Sequence, residues 1–392
     1  MTAVPSYIAW QSRRTPTTIE TELVYRDPRY SDIVSRVGGL LSLYFLDGWT
    51  TQKRRQLLAV VEEYCDLFAD RITHYQKPGE RQLRSFNVDE AVKYYEEISK
   101  NEESEMYCFL KGVNAMDNDD PSLWLLIAFG FERDNSQRHL SGVKIHVPPA
   151  FILDNPDRCV DLVRRWSERL GAVHGSGGLG VLTEPGRETV GKVLYYPLMQ
   201  RYPALEYDNM GGYFSGTRFG GYEVPRASNW LTLLGDANIA RLGGEDAIRS
   251  QLTPELSLAP YAGGVLIRAG QAPVVDSNGI GGIPQAYRDA ARIIKPTLLG
   301  DANIARLGGE DAIRSQLTPE LSLAPYAGGV LIRAGQAPVV DSNGIGGIPQ
   351  AYRDAARIIK PFRFEGYRRS IIEVPEEKDG LEETMKWVRR FD

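Results

Sequence analysis

The sequence predicts an α+β protein in which mixed or antiparallel sheets pack against helices, in one large or two-lobed domain. Segments with strand and helix periodicity alternate irregularly along the 392 residues, whereas a doubly wound fold would alternate them regularly. Residues 232–296 also recur without any change as residues 297–361. The predicted fold therefore includes a duplicated α/β segment of 65 residues.

The repeat does not have the properties of a solenoid. Solenoid proteins stack several similar units and give their end units different, polar faces. Two identical copies in an otherwise unrepeated chain instead indicate a recent tandem duplication inside one domain, or an error in the recorded sequence. Removing one copy leaves 327 residues, enough for one large domain or two smaller ones. We predict an N-terminal segment over 1–36 and an α+β domain over 37–392, interrupted by the tandem repeat.

The first half of the chain contains the most regular patterns. Val37–Phe45 has the apolar composition of a buried strand. After an Asp-Gly turn, Thr50 or Thr51 can cap a helix that runs to about residue 69, with apolar side chains spaced three and four apart. Similar patterns predict a helix near 88–98, strands over 124–131 and 142–147, and a helix from Asn155-Pro156 to Gly171.

Glycine and proline divide the second half of the chain into short elements. The stretch 174–180 (HGSGGLG) looks like a phosphate-binding loop, but no lysine follows at the required spacing and a strand follows where a helix is needed. We therefore predict a turn that leads into a strand ending at Thr183. A helix is predicted over 195–207. Each copy is predicted to contain three helices and one strand; in copy one the helices lie after 236, over 245–252 and over 284–294, and the strand over 264–269. The chain is predicted to end with a strand at 362–364 and an amphipathic helix over 377–391.

The composition is that of an ordinary globular protein, with 42% hydrophobic and 25% charged residues. No apolar run approaches the roughly 18 residues of a membrane span, and the opening residues lack a signal-peptide pattern. We therefore expect a cytoplasmic protein without membrane association. Cys65, Cys108 and Cys159 are widely spaced and form no CxxC pair, and the four histidines are dispersed. This pattern predicts core thiols and neither a metal site nor a cofactor.

The main electrostatic asymmetry lies between Asp89 and Asp120. The chain has a net charge of −5, which argues against nonspecific binding of nucleic acid. This segment contains ten carboxylates and three lysines, which gives it a local net charge of −7. A solvated face often explains such a run, and the alternative is a docking surface for a strongly basic partner. The candidate partner-binding residues are then Glu96, Glu97, Glu102, Glu103, Glu105, Asp117, Asp119 and Asp120.

No catalytic residues are predicted. Ser176 follows His174 by two positions, but no third orienting group is identifiable, and positions so close in a loop rarely place a base on a nucleophile. A hydrolase that uses Ser176 and His174 remains an alternative, as does a structural scaffold assembled through the repeat. The residues favour a binding protein over an enzyme.

A set of segments spread over 37–392 follows the pattern of a known family. They include LSLYFLDGWTT, WSERLGAVHGSGGLG, SNWLTLLGDANIARLGG, QAYRDAARIIKPFRF and the final WVRRFD, and NWLTLLGD over 229–236 is the most specific. In this order they resemble the type VI secretion immunity proteins that are paired with VRR-Nuc nuclease effectors. The chain departs from that family in the duplicated residues.

The resemblance implies an inhibitor that binds a cognate effector protein and protects the producing cell from it. It implies no enzyme activity, and it transfers neither catalytic nor contact residues to this chain. We therefore expect steric and electrostatic occlusion of the DNA-binding or active-site surface of a nuclease. Direct binding of nucleic acid is not expected.

Overall fold

The computed structural model describes residues 15–26, 32–77, 80, 82–112, 120–136, 139–185, 192–210, 225, 228–277, 282–294, 298–300, 304, 307–326, 329–334, 350–360 and 379–388. Its residues form two compact units. One comprises residues 1–240 and 244–294, and the other comprises residues 241–243 and 295–392. The first unit thus contains copy one (232–296) except for residues 241–243, 295 and 296, and the second contains all of copy two (297–361). The domain boundary predicted at residue 37 stays a prediction.

The first unit is built on one sheet, in which eleven strands are described. Its strands are β1 (Val24–Arg26), β2 (Ile33–Phe45), β3 (His74–Gln76), β4 (Arg84–Ser85), β5 (Met106–Lys111), β6 (Leu125–Gly130), β7 (Ser141–Val147), β8 (Ala172–Thr183), β9 (Leu231–Gly235), β10 (Leu256–Tyr261) and β11 (Gly264–Ala269). The order is β10-β11-β9-β8-β2-β7-β6-β5-β3-β4, with β1 also paired to β2. All of these pairs are antiparallel.

The helices of this unit begin and end at residues that the sequence identifies. Thr50 accepts a hydrogen bond from the Lys53 N–H at the start of one helix, and Asn155 accepts one from the Arg158 N–H at the start of another. Gly171 ends the latter with a φ of 58°. The helices are α1 (Pro16–Glu22), α2 (Thr51–Phe68), α3 (Val88–Ser99), α4 (Arg133–Ser136), α5 (Pro149–Leu153), α6 (Pro156–Leu170), α7 (Lys192–Arg201), α8 (Asp236–Arg241, which ends in the second unit), α9 (Glu245–Arg249) and α10 (Gln285–Ile294).

The two faces of the sheet differ in polarity because alternate residues of a strand point to opposite sides. One face is apolar and packs on helices: Val37 and Val181 lie in one buried cluster with Leu198 of α7. A Cβ at Gly39 on this face would stand 2.5 Å from Ile152 of α5. The other face, here called the polar face, carries buried polar side chains: Ser42, Tyr44, Lys111, Lys144, His146, His174 and Ser176.

The second unit repeats the local structure of copy one. Its described elements are β12 (Leu298–Gly300), α11 (Glu310–Arg314), β13 (Leu321–Tyr326), β14 (Gly329–Ala334), α12 (Gln350–Ile359) and α13 (Gly380–Val388). The strands form a separate sheet in the order β12-β14-β13. Ile313, Leu321 and Ile332 belong to its own buried core. The parts of the identical string that are described in both copies therefore fold in the same way.

The predicted α+β class is confirmed, but the predicted turn at 174–180 is wrong. This stretch lies inside β8, which is paired on both sides, to β2 and β9. Its glycines permit close packing: a Cβ at Gly175 would stand 2.6 Å from the Ser42 carbonyl oxygen, and one at Gly180 would stand 2.8 Å from that of Glu206. The patterns also missed β5 and β10, and α7 ends at Arg201, before the predicted end. The predicted strand at 362–364 lies outside the described residues.

Candidate partner-binding surface

The predicted acidic residues fall into three groups in the structure. Those from α3 and from the segment between α3 and β5 lie close together along the chain: Glu96, Glu97, Glu103 and Glu105 are exposed, and Glu102 is half-buried. Asp120 is buried, with 7% of its surface exposed. Asp117 and Asp119 lie outside the described residues. We refer to Glu96, Glu97, Glu102, Glu103 and Glu105 as the acidic surface.

Glu102 is held by the start of α2. One of its carboxylate oxygens accepts hydrogen bonds from the Thr51 N–H at 2.9 Å and from the Thr51 hydroxyl at 2.6 Å. The other accepts from Arg133 at 2.9 Å. The hydrogen bonds from Thr51, followed by that from Arg133, lower the pKa of Glu102. A carboxylate at a helix N-terminus is also favoured by the exposed N–H groups there, so Glu102 connects the acidic surface to the fold.

Arg133 links the acidic surface to the turn before α2. Besides Glu102, its guanidinium lies 3.4 Å from the Glu103 carboxylate. It also stands 4.6 Å from the centre of the Trp49 ring, within cation–π range. These contacts orient Glu103 on the exposed side.

The acidic surface rests on a buried arginine of α2. The Arg54 guanidinium donates hydrogen bonds to backbone carbonyl oxygens on both sides: to Gly48 at 3.1 Å, to Ile98 at 3.3 Å, to Ser104 at 2.5 Å, and to Asn101. Burial lowers the pKa of Arg54, and the charges of Glu102 and Glu132 oppose this effect. Because three of the four acceptors lie in residues 98–104, Arg54 fixes the path of the chain that carries the acidic side chains.

The electrostatic environment of this surface is negative. Burial raises the pKa of Glu62, and the nearby charges of Glu96 and Asp66 raise it further. Burial likewise raises the pKa of Glu105, with a contribution from Glu132. One exposed pair, Glu97 with Lys100 at 3.1 Å, offsets part of the charge, but such exposed pairs contribute little stability. The five carboxylates of the acidic surface thus outnumber their two cationic partners, Lys100 and Arg133, and the surface keeps a net negative charge.

A shallow groove of about 420 Å³ adjoins the acidic surface. It is lined by Thr51, Gln52, Arg55, Gln56, Ala59 and Arg169, so Thr51 belongs both to the groove and to the contact with Glu102. Arg169 is fixed by hydrogen bonds to the Glu63 carboxylate at 3.1 Å and to the Ala59 carbonyl oxygen at 3.3 Å. The acidic surface therefore has a groove with two arginines beside it.

Glu63 is the residue that joins α2 to α6 next to this groove. Its carboxylate accepts hydrogen bonds from Arg165 at 2.7 Å and from the Trp166 indole N–H at 2.9 Å, in addition to Arg169. Burial alone would raise the pKa of Glu63, but these hydrogen bonds and the arginine charges lower it below its ordinary value. The groove is thus bordered by a fixed ionic cluster.

The structure buries the two residues of the hydrolase alternative. His174 and Ser176 lie on the polar face of β8, with 1% and 4% of their surfaces exposed. Ser176 stands opposite Ser42 and Thr232 on the neighbouring strands. The Tyr44 and His174 rings are 5.0 Å apart, and the Tyr44 hydroxyl donates to the Asp208 carboxylate at 2.8 and 2.9 Å. These side chains pack together on the polar face, and this packed group is here called the polar layer.

The polar layer also holds a histidine in its neutral form. Burial, with the charge of Lys144, lowers the pKa of His146 to about 3, although its hydrogen bond to the Ser122 carbonyl oxygen opposes the shift. Nearby, Lys111 and Glu184 form an ion pair at 2.7 Å. Within the described residues, no group of His, Cys, Asp or Glu side chains could hold a metal ion, and no helix is long and apolar enough to cross a membrane.

Two features of this region were missed from the sequence, although each left a signal. Arg54 occupies a position of the apolar stripe of α2, three and four residues before Leu57 and Leu58. A charged residue at such a position indicates that hydrogen-bond acceptors surround it in the interior. Polar residues recur at every second position in β7 (Lys144 and His146) and β8 (His174 and Ser176). In strands this spacing indicates a polar face.

Comparison with solved structures finds a protein that shares the fold. A solved structure, the "Pseudomonas aeruginosa T6SS protein PA0821", shares the fold with a TM-score of 0.63 over 74% of this chain and 81% of that chain, at 19% sequence identity. The family model described as "Type VI immunity for VRR-NUC" (TsiV) matches residues 56–303 and, again, 296–391. The chain belongs to this family of immunity proteins, which confirms the resemblance seen in its motifs.

The two matched ranges overlap over residues 296–303, at the junction between the copies. The first range includes copy one, and the second begins where copy two begins, as expected when a single-copy pattern is interrupted by one extra copy. No curated protein matches the chain.

Proposed function

We propose that this protein binds a cognate nuclease effector of the VRR-Nuc class and occludes its DNA-binding or active-site surface. The observation that carries the proposal is the exposed set Glu96, Glu97, Glu103 and Glu105, held on a chain path that the buried Arg54 fixes. Membership of the immunity family supports the class of partner.

The charge of the partner gives the physical reason. A nuclease presents a basic surface to the phosphates of its substrate. A fixed array of carboxylates complements that surface, accelerates association and selects against neutral or acidic proteins. Because Arg54 already fixes the backbone that carries the array, binding does not have to order that segment of the chain. Inhibition then requires only that this protein occupies the basic surface of the nuclease, and it requires no chemical reaction.

The predicted contact residues have different roles in this proposal. Glu96, Glu97, Glu103 and Glu105 are direct contacts, and Asp117 and Asp119 remain proposed contacts. Glu102 acts as a positioning residue through Thr51. Asp120, being buried, acts through the fold. The groove beside Thr51, with Arg55 and Arg169, provides a place for an anchor side chain of the effector, since buried anchors carry much of the affinity of an interface.

We propose no enzyme activity and no direct contact with nucleic acid. The burial of Ser176 and His174 supports this, because a nucleophile must reach its substrate. A nuclease that attacks DNA acts where the DNA is, so the proposal also places the inhibitor in the cytoplasm.

Production of the cognate VRR-Nuc nuclease, with and without the chain, tests the proposal. We expect the nuclease alone to stop growth, the pair to restore growth, and a stable complex to form from the purified proteins. The control is an effector of another chemistry, such as a lipase, which the chain should not neutralise. Continued toxicity with both proteins folded and no complex would overturn the proposal.

A further inference from the structure

We infer that copy two is an interchangeable occupant of the position that copy one fills beside β8. The position is an edge-to-edge strand pairing: Ser176 stands opposite Thr232, Gly175 opposite Leu233, and His174 opposite Leu234. The three residues that copy one contributes have identical counterparts in copy two, namely Thr297, Leu298 and Leu299. These three pairs do not distinguish the copies, and the fourth pair, Gly177 with Leu231, lies just before the repeat.

The copies also match in their internal strand pairing. In copy one, Leu234 stands opposite Val265. In copy two, Leu299 stands opposite Val330 at the same register. The second hairpin pair is likewise equivalent, from Leu256–Ala269 in β10 and β11 to Leu321–Ala334 in β13 and β14. Copy two therefore already has the strand arrangement with which copy one pairs to β8.

Three residues that precede copy one explain why that copy occupies the position. The Asn229 side chain donates to the Leu179 carbonyl oxygen at 3.3 Å, and the Trp230 indole N–H donates to the Gly270 carbonyl oxygen at 3.2 Å. Leu231 continues β9 into pairing with β8 and β11. The equivalent residues before copy two are Ile294, Lys295 and Pro296. Proline has no N–H to donate, so this junction lacks the anchors.

The residues that follow the copies favour copy two, whereas the residues that precede them favour copy one. Copy two is followed by residues 362–392, whereas copy one is followed by the start of copy two. Each copy thus has one of the two neighbours that a single-copy chain would provide. Exchange requires copy one to become an insert between Leu231 and Thr297, and the entropy of closing such a loop grows only logarithmically with its length. The chain therefore has two ways to complete the same sheet.

This redundancy predicts tolerance to damage. A substitution that breaks β9 leaves copy two available for the position beside β8, and only damage to both copies removes the strand. The effects of equivalent substitutions in the two copies should then be strongly non-additive, which is the signature of two groups that serve one site.

Aspartate substitutions in the full-length chain test this prediction. Leu234 is fully buried, so Leu234→Asp breaks copy one at that position, and Leu299→Asp is the matched change in copy two. We expect each single variant to retain the near-UV circular dichroism and the cooperative unfolding of the first unit, and the double variant to lose both. If Leu234→Asp alone loses as much as the double variant, the inference is overturned.

A disulfide trap identifies the occupant directly. Ser176→Cys combined with Thr232→Cys reports copy one beside β8, and Ser176→Cys with Thr297→Cys reports copy two. Adding Leu234→Asp should raise the second cross-link at least tenfold, within a monomer on a non-reducing gel. Ser176→Cys alone controls for the buried native thiols. No increase, or an increase only in disulfide-linked dimers, would contradict exchange within one chain.

Discussion

Glu102 accepts two hydrogen bonds from Thr51, one from its N–H at 2.9 Å and one from its hydroxyl at 2.6 Å. This relationship places a residue predicted to contact a partner inside the framework of the fold. It separates two kinds of acidic residue in one short segment: those that hold the segment in place and those that face solvent.

Replacing Glu102 should affect stability as well as binding. Glu102→Ala removes the acceptor for two donors of Thr51 and the partner of Arg133. We expect a lower midpoint in urea unfolding, whereas Glu103→Ala, an exposed neighbour, should leave the midpoint unchanged. The hydrogen bonds lower the pKa of Glu102 in the folded protein. Its contribution to stability is therefore full at pH values above the pKa that Glu102 has in the unfolded chain, and it is lost as the pH falls through the pKa that Glu102 has in the folded protein. Equal midpoints for both variants at neutral pH would contradict the assigned role.

Arg54 should be the most sensitive residue of α2. Arg54→Met keeps the apolar stem but leaves the buried carbonyl oxygen of Gly48, and the part-buried carbonyl oxygens of residues 98, 101 and 104, without this donor. An unsatisfied buried acceptor costs about 1–3 kcal/mol, so we expect a loss of about 3 kcal/mol in the free energy of unfolding. Arg55→Met, on the exposed side of the same helix, is the control. Denaturant unfolding followed by circular dichroism measures both, and similar values for the two variants would refute the role of Arg54.

His146 should make the protein less stable in mild acid. The pKa of His146 is lowered from its ordinary 6.5 to about 3 by burial and by Lys144. Between these values the unfolded chain binds a proton that the folded chain does not, so stability is full above pH 6.5 and falls as the pH approaches 3. His146→Asn, which keeps a donor for the Ser122 carbonyl oxygen, should reduce this dependence. The control is His74→Asn, and the measurement is the free energy of unfolding between pH 4 and 8. An unchanged slope in His146→Asn would be the contrary result.

Gly175→Ala should destabilise the sheet. The new Cβ would stand 2.6 Å from the Ser42 carbonyl oxygen and 2.9 Å from a methyl carbon of Leu43. Overpacking of this kind costs about 1–3 kcal/mol. Ser176→Ala, one residue further along β8, adds no atoms and should cost less, and it should leave effector neutralisation intact. Thermal unfolding of both variants provides the measurement. A stable Gly175→Ala variant would indicate that the strand assignment is incorrect.

The sequence predicted the elements whose signals are local. The caps at Thr50 and Asn155 and the left-handed Gly171 depend on the residues themselves, and the structure has all three. The stretch 174–180 was predicted wrongly because its glycines are required by backbone distant in sequence, at Ser42 of β2 and at Glu206. Local turn propensity carries no information on such contacts.

The candidate surface was only partly predictable for the same reason. Charge density located the segment that contains Glu96 to Glu105. Whether a carboxylate there faces solvent, as Glu103 does, or binds a helix start, as Glu102 does, depends on Thr51 and Arg54, about fifty residues earlier. The identical copies gave no local reason for either to join the main sheet. The distinction lies in the preceding Asn229 and Trp230.

The central claim is that the exposed carboxylates of the acidic surface bind a basic effector. Reversal of four charges, with Glu96, Glu97, Glu103 and Glu105 each changed to Lys, tests it by surface plasmon resonance against the cognate nuclease at 50 and 300 mM salt. Reversal of Asp154, Asp161, Glu168 and Asp246, exposed residues elsewhere, changes the net charge equally and serves as the control. We expect the association rate constant of the first variant to fall by more than about tenfold at low salt and its salt dependence to be lost, with at most a small change in the control. An unchanged rate constant and salt dependence, or an equal loss in the control, would contradict the claim.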